Sequence, residues 1–291
     1  IWIFDSSQSA AIYDNDRFTV VDRVYTRRGY QSGSTKYNVR FSKDGTATSS
    51  IIWNTNGRVI LDAKDEYTNV FYLNNVYYNE FNGFDIQKAT GHGIGRATDV
   101  GGGNKFLNLI VHDNGGRGIH YERGTHNLAE DNIIFNNHSY GIVFKGTIKD
   151  NIVFSNAPEV DSAGGISCSD SKVINNILFD NRRRGISTGS DTTIKSNILL
   201  KNYIVGVRAE EGVSNIKIKN NVFLDAISDY DDGVCIVATA GENFEIKNNI
   251  FVNFDDGVDD NVGTASYDFN FFYNNTEDID GGLSIGPNSI T

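Results

Sequence analysis

The sequence is poor in the residues that mark several common protein classes. It has no methionine, two prolines and two cysteines. The repeat described below places Cys168 and Cys235 three coils apart, about 14 Å at about 4.8 Å per coil, which is too far for a disulfide bond. The chain also lacks an apolar run of the roughly 20 residues that a membrane-spanning helix needs, and it lacks helical apolar spacing. These absences exclude a disulfide framework, a helical membrane protein and an α-helical fold.

Asparagine, glycine, β-branched and aromatic residues are abundant instead. This composition is typical of many short strands joined by tight turns. Because the chain starts without methionine, we expect it to be a mature or excised piece of a longer polypeptide, from which additional domains and a signal peptide could have been removed.

Charge is distributed unevenly along the chain, whose net charge is −11. Residues 225–291 contain fourteen Asp and Glu against one Lys, whereas residues 85–149 contain seven Lys and Arg against six Asp and Glu, together with all five histidines. An acidic chain without a basic footprint argues against a nucleic-acid partner. The His-rich middle could hold a negatively charged ligand locally.

A repeat runs from Asn75 to the C-terminal region. Each copy has Asn followed by three apolar residues, as in NIIF at 132, and then Gly followed by an apolar pair around one variable residue, as in GIHY at 118. A period near 22 with two short strands per copy predicts a single-stranded right-handed parallel β-helix of about ten coils. A leucine-rich repeat has a similar period, but its leucine framework is absent. We expect one domain with irregular opening coils (1–70), regular coils (71–275) and a C-terminal tail (276–291).

The repeat also predicts which side chains point inward. Strand alternation places the residue after each Gly in the core, and the recurrent Asn is expected to form an interior ladder that satisfies turn backbone groups. Gly should permit a left-handed turn into the second strand. The apolar residue two positions after each Asn should then face outward, which requires either a covering segment or a different phase.

One face of the predicted helix collects groups suited to catalysis. Aligning the copies at Gly83, Gly118 and Gly141 puts four side chains on one face of adjacent coils: Asp85, His120, Glu122 and Lys145. Arg117 and Arg123 flank this face. His92 and Arg96 belong to the segment 88–104, which we interpret as a loop inserted into the regular coils. A base, cations and hydrogen-bonding groups on a rigid sheet suit proton abstraction next to a carboxylate.

Other interpretations of these residues stay open. Glu122 and Lys145 could form only a surface ion pair. His126 and His138 are expected to be exposed turn residues, and His112 could be a turn residue. The histidines lack the spacing of a zinc site. The acidic residues near the C-terminus are candidates for calcium, with a solubilising cap as the alternative: Asp255, Asp256, Asp259 and Asp260.

Several stretches resemble β-helical polysaccharide lyases, especially lyase family 9. They are RVYTRRGYQ, DGTATSSI and GRVILDA near the start, then 82–88, 101–120 and YGIVFKG at 140–146. The resemblance implies a parallel β-helix in which Lys145 matches the proposed base of that family. The calcium-binding aspartates of the family do not match, since other residues hold those places: Asn82, Gly116, Arg117 and His120. It therefore implies a site without that calcium, where Arg117 and His120 neutralise the carboxylate of the substrate.

Two further resemblances are partial. GIHYERGTHNL resembles a coil of mannuronan C5-epimerases, whose DPH motif is replaced by DIQ at 85–87. GHGIG at 91–95 resembles the GHG of polygalacturonases, but the paired-aspartate and RIK motifs of those enzymes are absent. Epimerase and lyase share their first step, removal of the C5 proton of a uronate.

Our leading hypothesis is a secreted or cell-surface enzyme that cleaves an acidic polysaccharide by β-elimination, without a nucleic-acid or membrane partner. Lys145 or His120 is the expected base, and Arg117 and Arg123 are expected to face the substrate carboxylate. The expected substrate-binding residues are Asp85, Glu122, His92, Arg96 and His112.

Two other function classes remain open at this point. One is a glycoside hydrolase with its acid and base among four carboxylates: Asp85, Glu122, Asp99 and Asp113. The other is a binding or adhesion module that uses the exposed apolar column.

Overall fold

The computed structural model of the chain consists, where described, of β-strands and turns. The structure describes residues 2–3, 23–25, 30–32, 35–41, 44–65, 67–96, 101–158, 163–225, 232–236, 243–260, 265–280 and 286–291. These residues belong to two compact units, 1–147 and 148–291. In these ranges there is no α-helix, and so none that is long and apolar enough to cross a membrane.

The first unit contains two sheets. Its strands are β1 (Trp2–Ile3), β2 (Arg23–Tyr25), β3 (Tyr30–Ser32), β4 (Thr35–Phe41), β5 (Ile51–Asp62), β6 (Asn69–Leu73), β7 (Asn79–Gln87), β8 (His92–Arg96), β9 (Lys105–Leu107), β10 (Ile110–His112), β11 (Ile119–Tyr121), β12 (Leu128–Glu130), β13 (Ile133–Phe135) and β14 (Ile142–Phe144). In the first sheet β5 pairs with β7, β7 with β9 and β10, β9 with β12, and β10 with β13, all in parallel. In the second sheet β4, β6, β8, β11 and β14 follow one another in parallel, and β3 pairs antiparallel with β4.

The second unit repeats a three-strand coil. Its strands are β15 (Thr147–Lys149, whose first residue ends the first unit), β16 (Ile152–Phe154), β17 (Gly164–Cys168), β18 (Lys172–Ile174), β19 (Ile177–Phe179), β20 (Arg184–Thr188), β21 (Thr193–Lys195), β22 (Ile198–Leu200), β23 (Val205–Ala209), β24 (Ile216–Lys219), β25 (Val222–Leu224), β26 (Asp232–Ile236), β27 (Phe244–Lys247), β28 (Ile250–Val252), β29 (Asp256–Asp260), β30 (Ala265–Asp268), β31 (Phe271–Tyr273) and β32 (Glu277–Asp280). Each coil gives two strands to the first sheet and one to the second, as β18, β19 and β20 do.

This coiling is that of a right-handed parallel β-helix, as predicted. The described residues form five consecutive parallel strands of the second sheet in one unit and six in the other, close to the predicted ten coils. The predicted number of strands per coil, two, is wrong, however. A third short strand, exemplified by Lys172–Ile174, precedes the Asn of each regular coil.

The recurrent Asn forms the predicted interior ladder. In the second unit, the side chain of Asn176 is fully buried and its Nδ2 donates to Asn197 Oδ1 at 3.0 Å and to the carbonyl oxygen of Ile148 at 3.0 Å. The backbone N–H of Asn151 in turn donates to Asn176 Oδ1 at 3.0 Å. The amide of each coil therefore satisfies buried backbone groups of its neighbours, which would otherwise destabilise a turn placed inside the fold.

The residue two positions after this Asn points inward, so the phase assigned to that column is wrong. Leu178 is fully buried, whereas Ile177 is 39% exposed. Because alternate residues of a strand share a face, an inward Asn requires an inward residue two positions later. The exposed apolar column lies one position after the Asn, and its described members are Ile133, Ile152, Ile177, Ile198, Ile250 and Phe271.

Glycine at the second-sheet position serves packing, not a left-handed turn. Gly118 does not have a positive φ, and a Cβ there would lie 2.9 Å from both Asn137 Nδ2 and Ile134 Cγ2. The left-handed conformation is instead adopted by the residue before each ladder Asn, such as Asp131 (φ 57°) and Asn175 (φ 56°). Asp and Asn tolerate this conformation better than most residues, which explains the repeated Asp-Asn and Asn-Asn pairs.

The segment 88–104 is not a simple inserted loop. Its residues 92–96 form β8, in which His92 is paired with Asn69 and Ile94 with Ile119. The apparent insertion arose because Asn75 and Asn108 are not ladder residues of equivalent turns. The ladder there runs through Asn79 and Asn104, 25 residues apart, where the backbone N–H of Asn79 donates to Asn104 Oδ1 at 2.9 Å. The backbone N–H that meets Asn132 Oδ1 belongs to Leu109, at 2.9 Å.

Candidate functional site

Three neighbouring strands of the second sheet bring together most of the predicted site. β8, β11 and β14 are aligned so that Ile94, Ile119 and Ile142 face inward in one column. On β11 the residue before Gly118 and the residues two and four after it, Arg117, His120 and Glu122, therefore lie on the outer surface. On these strands and their ends lie the side chains that we call the arginine–histidine cluster: His92, Arg96, Arg117, His120 and Glu122.

Arg117 and His120 form the closest contact of the cluster. Arg117 Nη1 lies 2.6 Å from His120 Nε2. Since a guanidinium can only donate, Nε2 must present its lone pair in this arrangement. Burial and, next, the charge of Arg117 lower the pKa of His120 to about 4. His120 is therefore neutral near pH 7 and able to accept a proton once Arg117 moves aside.

Glu122 is the counter-ion of the cluster. Arg96 Nη2 donates to Glu122 Oε1 at 2.7 Å, and the same oxygen lies 3.3 Å from His120 Nε2. Burial would raise the pKa of Glu122, but the bond from Arg96 and the proximity of His120 lower it below its usual value. The carboxylate is therefore placed to stabilise an imidazolium if His120 becomes protonated.

His92 packs against the same group. Its ring lies edge-on to that of His120, with centroids 4.7 Å apart. His92 Nδ1 accepts the backbone N–H of Arg117 at 3.1 Å, so the neutral ring carries its proton on Nε2. Burial, then His120 and the two arginines, lower the pKa of His92 to about 4. Both histidines thus leave the positive charge of this surface to arginine.

Lys145 lies beside the cluster on the next coil. Tyr121 is paired with Phe144, and the backbone N–H of Lys145 donates to the Tyr121 carbonyl at 3.2 Å, which places Lys145 next to Glu122 in register. Arg123 is exposed just beyond β11. With Arg96 and Arg117, these residues make a locally basic surface on a chain of net charge −11. Such a surface favours an anionic ligand.

Asp85 does not share this surface, and its predicted position is wrong. It belongs to β7 of the first sheet, where it is paired with Ile60 and Ile110. Gly83, which was aligned with Gly118, has a φ of 84° and lies where the register between β5 and β7 is interrupted. The glycine equivalent to Gly118 is Gly93.

Asp85 instead holds His112, and the two belong to a separate group that we call the His112 cluster. Asp85 Oδ1 lies 3.0 Å from His112 Nε2, and Asp113 Oδ2 lies 2.7 Å from His112 Nδ1. The His112 ring stacks on Phe135 with centroids 4.7 Å apart, and the side-chain amide of Asn136 donates to Asp113. Asp85 is almost completely buried. Since carboxylates engage both ring nitrogens, this histidine is a structural group and not a free base.

The His112 cluster makes stability depend on pH. Burial opposes protonation of His112, but its bonds to Asp85 and Asp113 outweigh burial and raise its pKa. A raised pKa in the folded state stabilises the protonated form. The stabilisation is complete below the unfolded pKa of about 6.5 and is lost as the pH rises through the folded pKa.

We expect His112→Gln to lower the free energy of unfolding by about 1–2 kcal/mol more at pH 5.5 than at pH 8.5. The reason is that only the wild-type ring gains the pH-dependent pairing with Asp85 and Asp113. Urea denaturation at a series of pH values measures the difference. His138→Gln, at an exposed position, is the control and should show no such trend. A wild-type-minus-variant difference that is flat with pH would contradict the assignment.

The described residues do not fit a calcium site. Among them no group of three His, Cys, Asp or Glu is arranged to hold a metal ion. The proposed acidic residues are divided between faces of β29, since Asp260 is buried and accepts from Tyr267 while Asp259 is partly exposed. Burial and the charges of Asp280 and Asp255 raise the pKa of Asp256 to about 6, which indicates repulsion not relieved by the protein itself.

The remaining candidates are placed as follows. His126 and His138 are exposed, as predicted, and Cys168 is a buried free thiol. Asp99 and the side chain of Cys235 lie outside the described residues. Asp85 and Glu122 lie on different sheets, so they cannot be the acid and base of one hydrolase site.

Tyr140 was not among the predicted site residues. Its carbonyl accepts the N–H of Gly118, and it precedes Gly141 as Arg117 precedes Gly118. The position before each Gly was the signal that could have identified it.

Comparisons with known proteins agree with the fold. The family model described as "Right handed beta helix region" matches residues 85–198. No curated protein matches the chain in sequence. Among solved structures, the A-module of mannuronan C-5 epimerase AlgE4 of Azotobacter vinelandii is 16% identical with a TM-score of 0.69, and the match covers 91% of this chain and 80% of that one.

Two lyases are also similar in structure. Alginate lyase from Paenibacillus sp. str. FPU-7 is 15% identical with a TM-score of 0.58, covering 88% of this chain and 91% of that one. Pectate lyase Pel9A is 16% identical with a TM-score of 0.55, covering 85% and 78%. At these identities the similarity establishes a shared parallel β-helix fold, which confirms the predicted resemblance to β-helical polysaccharide lyases at the level of the fold.

Proposed function

We propose that this chain cleaves a uronate-containing polysaccharide by β-elimination at the arginine–histidine cluster. The observation that carries the proposal is the 2.6 Å contact between Arg117 Nη1 and His120 Nε2, which places a guanidinium beside the lone pair of a neutral imidazole. A uronate has its acidic C5 proton next to a carboxylate. This site offers a cation for that carboxylate and a base for that proton on one rigid surface.

The steps follow from the contacts. The substrate carboxylate pairs with Arg117 and draws the guanidinium away from His120, which frees Nε2. His120 removes the C5 proton, and Glu122, already 3.3 Å from Nε2, stabilises the imidazolium. The electron pair of the C5–H bond forms the C4–C5 double bond, and the C4–O4 bond breaks. Lys145 is placed on the next coil to donate a proton to the departing O4.

The roles of the other predicted residues follow from their positions. Arg96 and Glu122 orient the site through their ion pair, and His92 supports His120 from the side. Arg123, at the exposed edge, attracts the polymer. Asp85 and His112 support the first sheet and do not bind substrate. Since polymeric uronates occur outside cells, we infer a secreted or surface location, with polysaccharide as the partner and calcium not required.

An epimerase is the second candidate. It is favoured by the similarity to the AlgE4 A-module, which covers 91% of this chain. An epimerase would remove the same proton and return one to the opposite face without breaking the C4–O4 bond. The same cluster suits both reactions up to the carbanion, and the position of the acid decides between them.

The test is incubation of the full chain with polymannuronate, polyguluronate and polygalacturonate in D₂O, with and without calcium. A lyase gives the absorbance of a 4,5-unsaturated product. An epimerase gives deuterium at C5 in intact polymer, and a hydrolase gives reducing ends without absorbance. Absence of both the unsaturated product and deuterium incorporation at C5 on every uronan would overturn the proposal. Retained glycan binding in that case would favour the binding module, with the apolar column around Ile177 and Ile198 as its surface.

A further inference from the structure

A second group of charged side chains on the second sheet repeats the layout of the arginine–histidine cluster within the unit 148–291. We call it the Arg184–Arg208 group: Arg184, Ser187, Arg208 and Glu210. Arg184 precedes Gly185 as Arg117 precedes Gly118, and Glu210 lies four residues after Gly206 as Glu122 lies four after Gly118. Ser187 and Arg208 are paired in register on β20 and β23.

The two arginines enclose one carboxylate. Arg184 Nη1 donates to Glu210 Oε1 at 2.5 Å, and Ser187 Oγ donates to the same oxygen at 2.5 Å. Arg208 Nε lies 3.5 Å from Glu210 Oε2. A guanidinium and a hydroxyl that donate to one oxygen of a carboxylate, with a second guanidinium beside its other oxygen, are an arrangement that binds a free carboxylate. Glu210 therefore occupies the place that a carboxylate of a ligand would take.

The group has capacity for a second anion. Two arginines face one glutamate, which leaves a net positive charge. The Nε of Arg208 is buried without a hydrogen-bond partner, and a buried charged donor gains from an acceptor. The side chains of Arg208 and Glu210 are 32% and 38% exposed, so a ligand can reach both from solvent.

The surroundings suit a sugar more than a compact anion. Ser167 and Ser187 precede Arg208 in the same column. Ser167 is partly exposed, so its hydroxyl can bind a hydroxyl of a pyranose, whereas the buried Ser187 contributes through its bond to Glu210 and becomes a donor to a ligand carboxylate that displaces it. No histidine belongs to this group, in contrast to the arginine–histidine cluster. The group can hold an anionic sugar but has no base with a neutral lone pair near pH 7.

We propose that Arg184, Ser187 and Arg208 form a non-catalytic subsite for a uronate residue of the polysaccharide, with Glu210 as a built-in competitor for its carboxylate. This inference rests on the proposed function for the class of ligand, but not for the turnover. A subsite outside the arginine–histidine cluster would increase the affinity for the polysaccharide while leaving the reacting sugar unaffected.

The test measures binding of saturated oligomannuronate, oligoguluronate and oligogalacturonate to the full chain by calorimetry, in a His120→Asn background in which turnover is expected to be slow. Arg208→Gln should weaken binding of long oligomers by about tenfold, the value of one partly exposed charged hydrogen bond. Glu210→Gln should strengthen it, because the competing carboxylate is lost.

Two variants in the same unit control for net charge. Lys217→Gln removes a positive charge from an exposed position of the first sheet, and Glu211→Gln removes a negative charge next to Glu210. Both should change the affinity by less than about twofold. Thermal unfolding of each variant checks that the fold is kept, and neutral dextran oligomers should bind none of the proteins.

The outcomes separate this inference from the proposed function. If Arg208→Gln and Glu210→Gln behave like their charge controls, the subsite is wrong even when wild type cleaves or epimerises a uronan. If both variants act as expected but wild type gives no product on any uronan, the subsite stands and the enzyme assignment falls.

Discussion

His120→Asn is expected to reduce turnover of the preferred uronan by about 10²- to 10⁴-fold, the usual contribution of a positioned general base. Asparagine can still accept a hydrogen bond from Arg117, so the variant keeps the arrangement of the cluster while losing a nitrogen that can take a proton. The loss should appear in kcat, with KM changed little. Initial rates of unsaturated-product formation measure both constants.

The wild-type pH profile provides an independent test of this role. Because burial and Arg117 lower the pKa of His120 to about 4, activity that requires the neutral ring should persist through mildly acidic pH and fall only as the pH decreases through about 4. Glu122 stabilises the imidazolium, and Glu122→Gln should therefore lower kcat and move this limb to lower pH. An acid limb near pH 6.5 would indicate a histidine without these neighbours.

The matched control is His126→Asn. His126 is exposed in the turn after β11, where its Nδ1 lies 3.0 Å from the hydroxyl of Thr125, and its replacement should leave kcat within about twofold. Lys145→Met should lower kcat as well, since it removes the proposed acid. If His120→Asn were as active as His126→Asn, His120 would not be the base, and Lys145 and Tyr140 would be the next candidates.

The repeat was sufficient to predict the fold, because two spacings recur and each has one physical cause. The recurrent Asn satisfies backbone groups inside the coil, and the recurrent Gly leaves room for the Asn side chain of the facing sheet, as Gly118 does for Asn137. The third strand of each coil escaped prediction. Segments such as Lys172–Ile174 carry one buried residue between two polar or half-exposed ones, which resembles a turn as much as a strand.

The site could be predicted only in part, because register decides which residues become neighbours. Glycine alone could not distinguish Gly83 from Gly93, as both precede an apolar residue. Gly83 has a positive φ within β7, whereas a Cβ on Gly93 would meet Val111 and Asn114. Because the copies were aligned at Gly83 and not at Gly93, Asp85 was predicted on the second sheet, whereas it belongs to the first.

The side-chain contacts within the arginine–histidine cluster could not be predicted from the sequence. Arg117 and His120 were both expected near the substrate, but their 2.6 Å contact depends on side-chain torsions that no spacing specifies. The same is true of the Arg96–Glu122 pair.

The interior ladder gives the largest expected effect on stability. Asn176→Ala is expected to lower the free energy of unfolding by about 3–5 kcal/mol, because it leaves two buried backbone groups without partners at about 1–3 kcal/mol each and removes further amide bonds. The groups are the N–H of Asn151 and the carbonyl oxygen of Ile148, which lie 3.0 Å from Asn176 Oδ1 and Nδ2 respectively. Urea denaturation followed by circular dichroism measures the change.

Two further variants make the ladder prediction specific. Asn175→Gly removes an amide from the adjacent residue, whose φ of 56° suits glycine, and should change the free energy of unfolding by less than about 1 kcal/mol. Asn176→Asp keeps the size of the side chain but buries a carboxylate beside the carbonyls of Ile148 and Ile174. Burial and these carbonyls should raise the pKa of the new carboxyl above its unfolded value, so the variant should gain stability as the pH falls and the group becomes a donor. A loss after Asn175→Gly as large as that after Asn176→Ala would mean that the turn, and not the buried amide, holds the coils together.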